Sequence, residues 1–317
     1  EVALELMPGN KIRKYDTWHA MGQGATTGSL VVTLEALKEM HLTPEDIQLI
    51  QNDTKTCPDT GMAGASRSLY MDGNATIIAA NKLLAAMRKE DGTLRTYDEM
   101  KAEGIETKYL GRYETNTTPG LCRLDPNTGI GDPTPAFTYC LNLAEVEVDT
   151  KTGKTTVLKF TCVDFVGRIG NIDAVNGQAY SGIMHGIGFA LKEDYADVKK
   201  HANMFGAGTS YIKDVPDDID LIHIDGAISD GPFGSSGASE AFQASGHCAV
   251  LNGIYNACGV RIHEIPALPE KVKAGLDAIA KGEKPYEPKK YFLGSDMYEE
   301  LENIKENPVQ VGTQSFY

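Results

Sequence analysis

Gly231-Pro232-Phe233-Gly234-Ser235-Ser236-Gly237-Ala238-Ser239-Glu240 is the stretch on which the reading of this 317-residue chain turns. Small residues crowd around one carboxylate. Glycine lets a backbone come close to a bulky ligand and adopt positive φ. The apolar residues that follow, Ala241, Phe242, Ala249, Val250, Ile254 and Tyr255, have helical spacing. Glu240 therefore stands near the start of a helix, at the end of a glycine-rich loop. A helix start offers unpaired N–H groups and a positive field to anything anionic. A carboxylate there is either a capping acid or a base facing a cofactor, and taken alone the capping role is the commoner.

Three other stretches repeat the pattern. Trp18-His19-Ala20-Met21-Gly22-Gln23-Gly24-Ala25-Thr26-Thr27-Gly28 is a glycine loop opening a helix. Gly61-Met62-Ala63-Gly64-Ala65-Ser66-Arg67-Ser68 leads into a helix over 69–87, and Gly167-Arg168-Ile169-Gly170-Asn171-Ile172-Asp173 into Val175-Asn176-Gly177-Gln178 and a helix over 179–191. Four such loops imply a large anionic ligand held by backbone amides at several helix starts. Gly22-Gln23-Gly24 is not a Rossmann fingerprint, because the third glycine is misplaced and no acidic residue ends a following second strand. Arg67 is either a solvated charge or a phosphate ligand. Its place between two hydroxyls at a helix start favours phosphate, which guanidinium grips in a bidentate fork. Gln178 in isolation reads as an amide satisfying backbone, and His19 as a core histidine bonded to backbone. None of the seven histidines has ligand spacing, so no protein metal ligand is expected.

Together these motifs resemble the second molybdenum-cofactor domain of the xanthine oxidase family, and most of all its bacterial aldehyde oxidoreductases that use molybdopterin cytosine dinucleotide. The resemblance rests on Met21-Gly22-Gln23-Gly24, Ala65-Ser66-Arg67-Ser68, Gly177-Gln178 with Gly182 and Gly186-x-Gly188, and the Gly-x-x-Glu ending at Glu240. It runs from about Glu1 to about Gly275. The family usually reads Gly-Val-Gly-Glu where this chain reads Gly237-Ala238-Ser239-Glu240. The resemblance implies that Glu240 is the catalytic base. It implies that Gly22, Gln23, Gly24, Ala65, Ser66, Arg67, Ser68 and Gln178 bind the cofactor, with Gln178 hydrogen-bonding an oxo ligand of molybdenum. The pterin dithiolene, not the protein, would hold the metal. The implied reaction is oxidation of an aldehyde to a carboxylic acid with water as oxygen source. Hydroxylation of a purine or other N-heterocycle is the rival, and a non-catalytic assembly subunit a third reading. Electrons would leave through iron–sulfur clusters on another segment or subunit, because Cys57, Cys122, Cys140, Cys162, Cys248 and Cys258 contain no C-x-x-C pair. The other molybdenum half and the cluster domains are thus the expected partners, in an oligomer.

A net charge of −14 argues against nucleic acid or an anionic membrane as partner. No apolar run is long enough to span a bilayer. The chain opens Glu1-Val2-Ala3-Leu4-Glu5, with neither signal peptide nor initiator methionine, and so reads as starting inside a longer product or as processed or trimmed. Unpaired cysteines in apolar runs read as buried free thiols suited to the cytoplasm.

The expected fold class is α+β, with mixed sheets and two related halves. Strands are expected at 1–5 and 11–18, a helix at 30–40, a short strand at 47–50 and a helix at 75–87. The polar stretch 91–130 reads as a surface excursion. Strands at 136–148 and 155–166 form the clearest hairpin, around Asp149-Thr150-Lys151-Thr152-Gly153-Lys154. A strand at 219–224 and a helix at 266–281 follow. The divisions are 1–135 and 136–265 for the cofactor-binding halves, the second with Glu240. Residues 266–317 are expected to form a terminal helix and an arm, from Glu283, that packs on a neighbouring domain or subunit.

Overall fold

The structure, a computed structural model, describes residues 1–59, 61–115, 125, 127–131, 134, 136–283, 303, 306 and 307. Two sheets with helices make the mixed architecture expected. In the first, β1 (Val2–Met7) and β2 (Lys11–Asp16) form a hairpin. The chain then passes through helix α1 (Ala25–Ala36) and returns as β3 (Ile47–Gln51), parallel to β2. In the second, β5 (Tyr139–Val148) and β6 (Thr155–Phe165) form a hairpin, and helix α4 (Ile172–Leu191) leads to β7 (Asp218–His223), parallel to β6. The order strand, strand, helix, strand thus occurs twice.

Each half adds a further helix after its third strand. Helix α2 (Ser68–Met87) covers the first sheet and buries Ala75, Ala79, Leu83 and Met87 against Val2, Leu4 and Leu6. Short α5 (Ala241–Ala244) and α6 (Gly246–Cys258) close the second core with Phe242 and Val250, over Phe160 and Ile183. Helix α7 (Pro269–Ala280) packs Val272 with Ile254 of α6. The small residues of α4 explain the close approach. A Cβ on Gly182 would stand 2.6 Å from Cβ of Phe242, and one on Gly186 2.9 Å from Cα of Gly246. Gly182 and Gly186 of the recognition motif therefore serve helix packing, and this seats the segment that begins with Glu240.

The structure corrects several expectations. The stretch 91–130 is not all surface excursion. It contains α3 (Tyr97–Ala102) and strand β4 (Lys108–Gly111), which pairs with β1 and completes the sheet order β3-β2-β1-β4. Met100 is fully buried in the first core. Thr96 starts α3 by a capping box with Glu99, a local signal stronger than the polar composition around it. Helix α1 starts at Ala25 rather than 30, and α4 at Ile172 rather than 179, where the Asn171 side chain accepts from the Ala174 N–H at 3.0 Å. His19 is exposed rather than core, since the buried neighbour is Trp18. Among the described cysteines only Cys162 is fully buried, and Cys248 is exposed. The expected arm from residue 284 on, and Cys122, lie outside the described residues, apart from 303, 306 and 307. No helix among the described residues is long and apolar enough to cross a membrane.

Candidate functional site

Each half contributes two loops to one cleft of about 1200 Å³. The first half gives the segment before α1 and the one before α2. The second gives the segment before α4 and the one before α5. Trp18, Gln23, Ser66, Ser68, Gln178 and Glu240 are all on its wall.

Two closely packed turns build the floor. The loop ending at Glu240 lies against the loop before α4. There the Arg168 N–H donates to the Gly234 carbonyl at 2.9 Å, the Ser236 N–H to the Val166 carbonyl at 3.1 Å, and Ser235 Oγ to the Arg168 carbonyl at 2.6 Å. Its other side lies against α2 of the first half. Asn74 Nδ2 donates to the Asp230 carbonyl at 2.9 Å, and a Cβ on Gly73 would stand 2.6 Å from Pro232. Gly237 is the tightest point: a Cβ there would lie 1.4 Å from the Ser66 carbonyl oxygen. Alanine is already too large, so glycine is required for contact rather than for its φ.

Glu240 sits at the N-cap position of α5, yet its side chain does not cap that helix. It reaches across to the other half. Ser66 Oγ donates to Glu240 Oε2 at 3.0 Å and accepts the Glu240 N–H at 3.0 Å. Ala65 and Ser66 both hold φ of 52°, a left-handed conformation that costs a residue with a Cβ about 1–2 kcal/mol. That pair of strained residues turns the Ser66 hydroxyl toward Glu240. The capping role is thus displaced by a contact between residues 174 positions apart, which no local pattern signals.

The other candidate residues divide into those at the cleft and those beside it. Gly22 and Gly24 line it with φ of 108° and 81°, and Gly24 is the N-cap of α1. Gln23 is turned inward to its own loop, its Oε1 accepting the Met21 N–H at 2.5 Å and its Nε2 donating to the His19 carbonyl at 2.6 Å. Gln178 lines the cleft from the second turn of α4 rather than from its start, half-buried. Ser68 opens α2 on the cleft wall. Ala65 and Arg67 are not on the lining. Arg67 Nη2 donates to the Met62 carbonyl at 3.2 Å and so braces the loop.

Chemically, the cleft combines glycine turns with open backbone, several hydroxyls, the amides of Gln23, Asn171 and Gln178, the carboxylates of Glu35 and Glu240 and the cations Lys38 and Arg168 with apolar surface from Trp18, Val31, Val32, Leu69 and Val175. Such a surface suits a large, flat, polar ligand with phosphates. Among the described residues no group of three or more His, Cys, Asp or Glu could hold a metal ion.

The comparisons with known proteins agree with that chemistry. The model of the molybdopterin cofactor-binding domain matches residues 1–216. The aldehyde oxidoreductase of Megalodesulfovibrio gigas is 41% identical over 278 residues, which cover 88% of this chain and 30% of that protein. A probable hypoxanthine oxidase of Escherichia coli is 28% identical over 277 residues, 82% of this chain and 29% of that one. The crystal structure of the aldehyde oxidoreductase from Desulfovibrio desulfuricans superposes with a TM-score of 0.81 at 42% identity, covering 86% of this chain and 30% of that one. The chain thus spans under a third of the length of these relatives.

Proposed function

Since the chain belongs to the molybdopterin cofactor-binding domains of the xanthine oxidase family, we propose that it is the catalytic-glutamate half of a molybdenum hydroxylase that oxidises aldehydes to carboxylic acids. The observation that carries the reading is Glu240, fixed by Ser66 on the wall of a cleft built from four loops. The cofactor would be molybdopterin cytosine dinucleotide, and the chemistry it supplies when bound is two-electron oxidation with water as the oxygen source. The residues present suit such a group: open glycine backbone for the dinucleotide, hydroxyls for phosphate, and no competing metal ligands among the described residues.

On this reading the protein's part is binding, orientation and proton transfer. Glu240 takes up the proton that water loses as its oxygen joins the substrate carbon. Its Oε2 is held by the Ser66 hydroxyl, which leaves Oε1 as the basic atom. Gln178 offers its amide to the reacting end of the cofactor, Gly22, Gly24 and Ser66 offer backbone, and Ser68 offers a hydroxyl donor. Gln23 and Ala65 shape the turns that present them. Arg67 lies off the lining and braces its loop through the Met62 carbonyl, and we assign it to a phosphate at the nucleotide end, reached by release of that contact.

The two electrons released per aldehyde need an exit, and we assign it to iron–sulfur domains elsewhere in the assembly, with the first molybdenum half as the other wall of the site. The divisions 1–135, 136–265 and 266–317 are our proposed units. The free thiols suit a reducing cytoplasm. Metal analysis of the intact enzyme, with acid release of the nucleotide, tests the reading: molybdenum and CMP in equal amounts are expected, and Arg67→Ala should lower both. Absence of both from active enzyme would contradict it. A purine or N-heterocycle substrate is the second reading, favoured by the similarity to a probable hypoxanthine oxidase. Higher kcat/KM for hypoxanthine than for any aldehyde would select it.

A further inference from the structure

The two halves carry the same carboxylate at the same place. Asp16 is the last residue of β2 and Asp164 the last but one of β6. Both are buried, at 0% and 1% exposure. In register, Asp16 stands opposite Gln51, the last residue of β3, and Asp164 opposite His223, the last residue of β7. Beyond each partner the backbone turns back in the same way. The Asn52 N–H donates to the Asp16 carbonyl at 3.3 Å, and the Ile224 N–H to the Asp164 carbonyl at 2.8 Å.

From there each carboxylate is linked to the helix that starts at the cleft. In the first half, Gln51 Nε2 donates to Asp16 Oδ1 at 2.8 Å and Gln51 Oε1 accepts from Thr26 Oγ1 at 3.1 Å. Ser29 Oγ also donates to Asp16 Oδ2 at 2.6 Å. In the second half, His223 Nδ1 lies 2.7 Å from Asp164 Oδ2 and His223 Nε2 2.7 Å from Asn176 Oδ1. Ser29 and Asn176 occupy the same position in their helices, the fifth residue of α1 and of α4. Glutamine in one half and histidine in the other act alike, since each bridges a buried carboxylate to the first turns of a helix. Two residues past each aspartate, Trp18 and Val166 line the cleft.

Packing alone does not ask for this. A buried carboxylate is costly to desolvate, and apolar residues of like volume commonly replace buried ionic groups with no loss of stability. What directional hydrogen bonds add is position. We propose that Asp16–Gln51 and Asp164–His223 are paired positioning clamps, fixing the starts of α1 and α4 on the cofactor cleft, so that retention of the cofactor depends on both. The proposal rests on the reading of the cleft as the cofactor site.

In the intact enzyme, the paired change Thr26→Ala with Ser29→Ala in one variant, and Asn176→Ala in the other, cut the helix side of each clamp while each carboxylate keeps its strand partner. Each should speed release of molybdenum and CMP by about tenfold, the lower end of the effect of losing an outer hydrogen bond behind a ligand-holding group. The circular dichroism of the cofactor-free protein should stay unchanged. His223→Gln places the first half's residue in the second half, and should hold the cofactor as the wild type does. Wild-type release rates in both alanine variants overturn the proposal. So does a His223→Gln protein that loses cofactor as fast as Asn176→Ala. If one alanine variant fails to fold, the other decides. Wild-type enzyme that carries neither molybdenum nor CMP sinks the cofactor reading first, and the clamps with it.

Discussion

Arg67 and Glu240 occupy matching places in the two halves of this molecule. Each is the N-cap residue of the helix that follows the third strand of its half, α2 in one case and α5 in the other. The two helix starts meet, with Ser66 bonded to Glu240 and Gly237 pressed on the Ser66 carbonyl. The frame is repeated, but the charge at the junction is reversed. A cation at a helix start serves an anionic ligand, whereas a carboxylate there serves as a base only if something other than its own helix engages it. The comparison teaches that the repeat supplies position, and that single residues at the junction divide the labour. It also explains why both halves are needed: the side chain that orients Glu240 belongs to the other half.

If the halves form one folding unit, a large cavity in either core should lower a single transition. Phe160→Ala empties the centre of the second core, and should cost about 3–5 kcal/mol. Leu83→Ala in the first core should cost about 2–5 kcal/mol. Urea unfolding followed by fluorescence and by circular dichroism checks this. Two separate transitions in the Phe160→Ala protein would show that the halves unfold independently and break the comparison at its root.

A smaller effect is expected at the junction. Gly237→Ala forces a methyl group onto the Ser66 carbonyl, and should destabilise by about 1–3 kcal/mol, the usual cost of overpacking. Because the backbone must part there, turnover should fall along with stability. Full activity with an unchanged unfolding midpoint would mean that the two loops are not in contact.

The smallest effect is confined to the first half, in α3. Glu99 of α3 is held down at about 2, by the Lys89 ammonium first and then by the Thr96 N–H. Its unfolded value is near 4.5. A depressed carboxyl stabilises the fold when ionised, so its contribution is complete above about pH 4.5 and fades as pH falls toward 2. Glu99→Gln should therefore lower the urea midpoint slightly at pH 7 and by less at about pH 3. An equal difference at both values would remove the carboxylate from the account.

Much of this was legible in the chain. Glycine loops before apolar-periodic runs located all four segments of the cleft, and alternation around Asp149 to Lys154 located the hairpin of β5 and β6. Local signals failed where a cap overrode composition, as at Thr96 and Asn171, and where a side chain's neighbour took the core, as Trp18 did beside His19. The sequence sets Gln178 at a helix start, and the longer α4 places it a turn deeper. The contacts that define the site were not legible. Ser66–Glu240, Asp16–Gln51 and Asp164–His223 join residues 174, 35 and 59 positions apart, and their hydrogen bonds leave no periodicity. The one trace was an aspartate near the end of the second strand in both halves, in Lys14-Tyr15-Asp16-Thr17-Trp18 and in Cys162-Val163-Asp164-Phe165-Val166.

The central claim is that Glu240, oriented from the opposite half, is the base of the reaction. Turnover of an aldehyde by the Glu240→Gln enzyme, expressed per bound molybdenum, tests it most directly. We expect a loss of at least about a hundredfold, the usual contribution of a general base, with molybdenum and CMP content unchanged. Near-wild-type turnover per molybdenum in that variant would contradict the account.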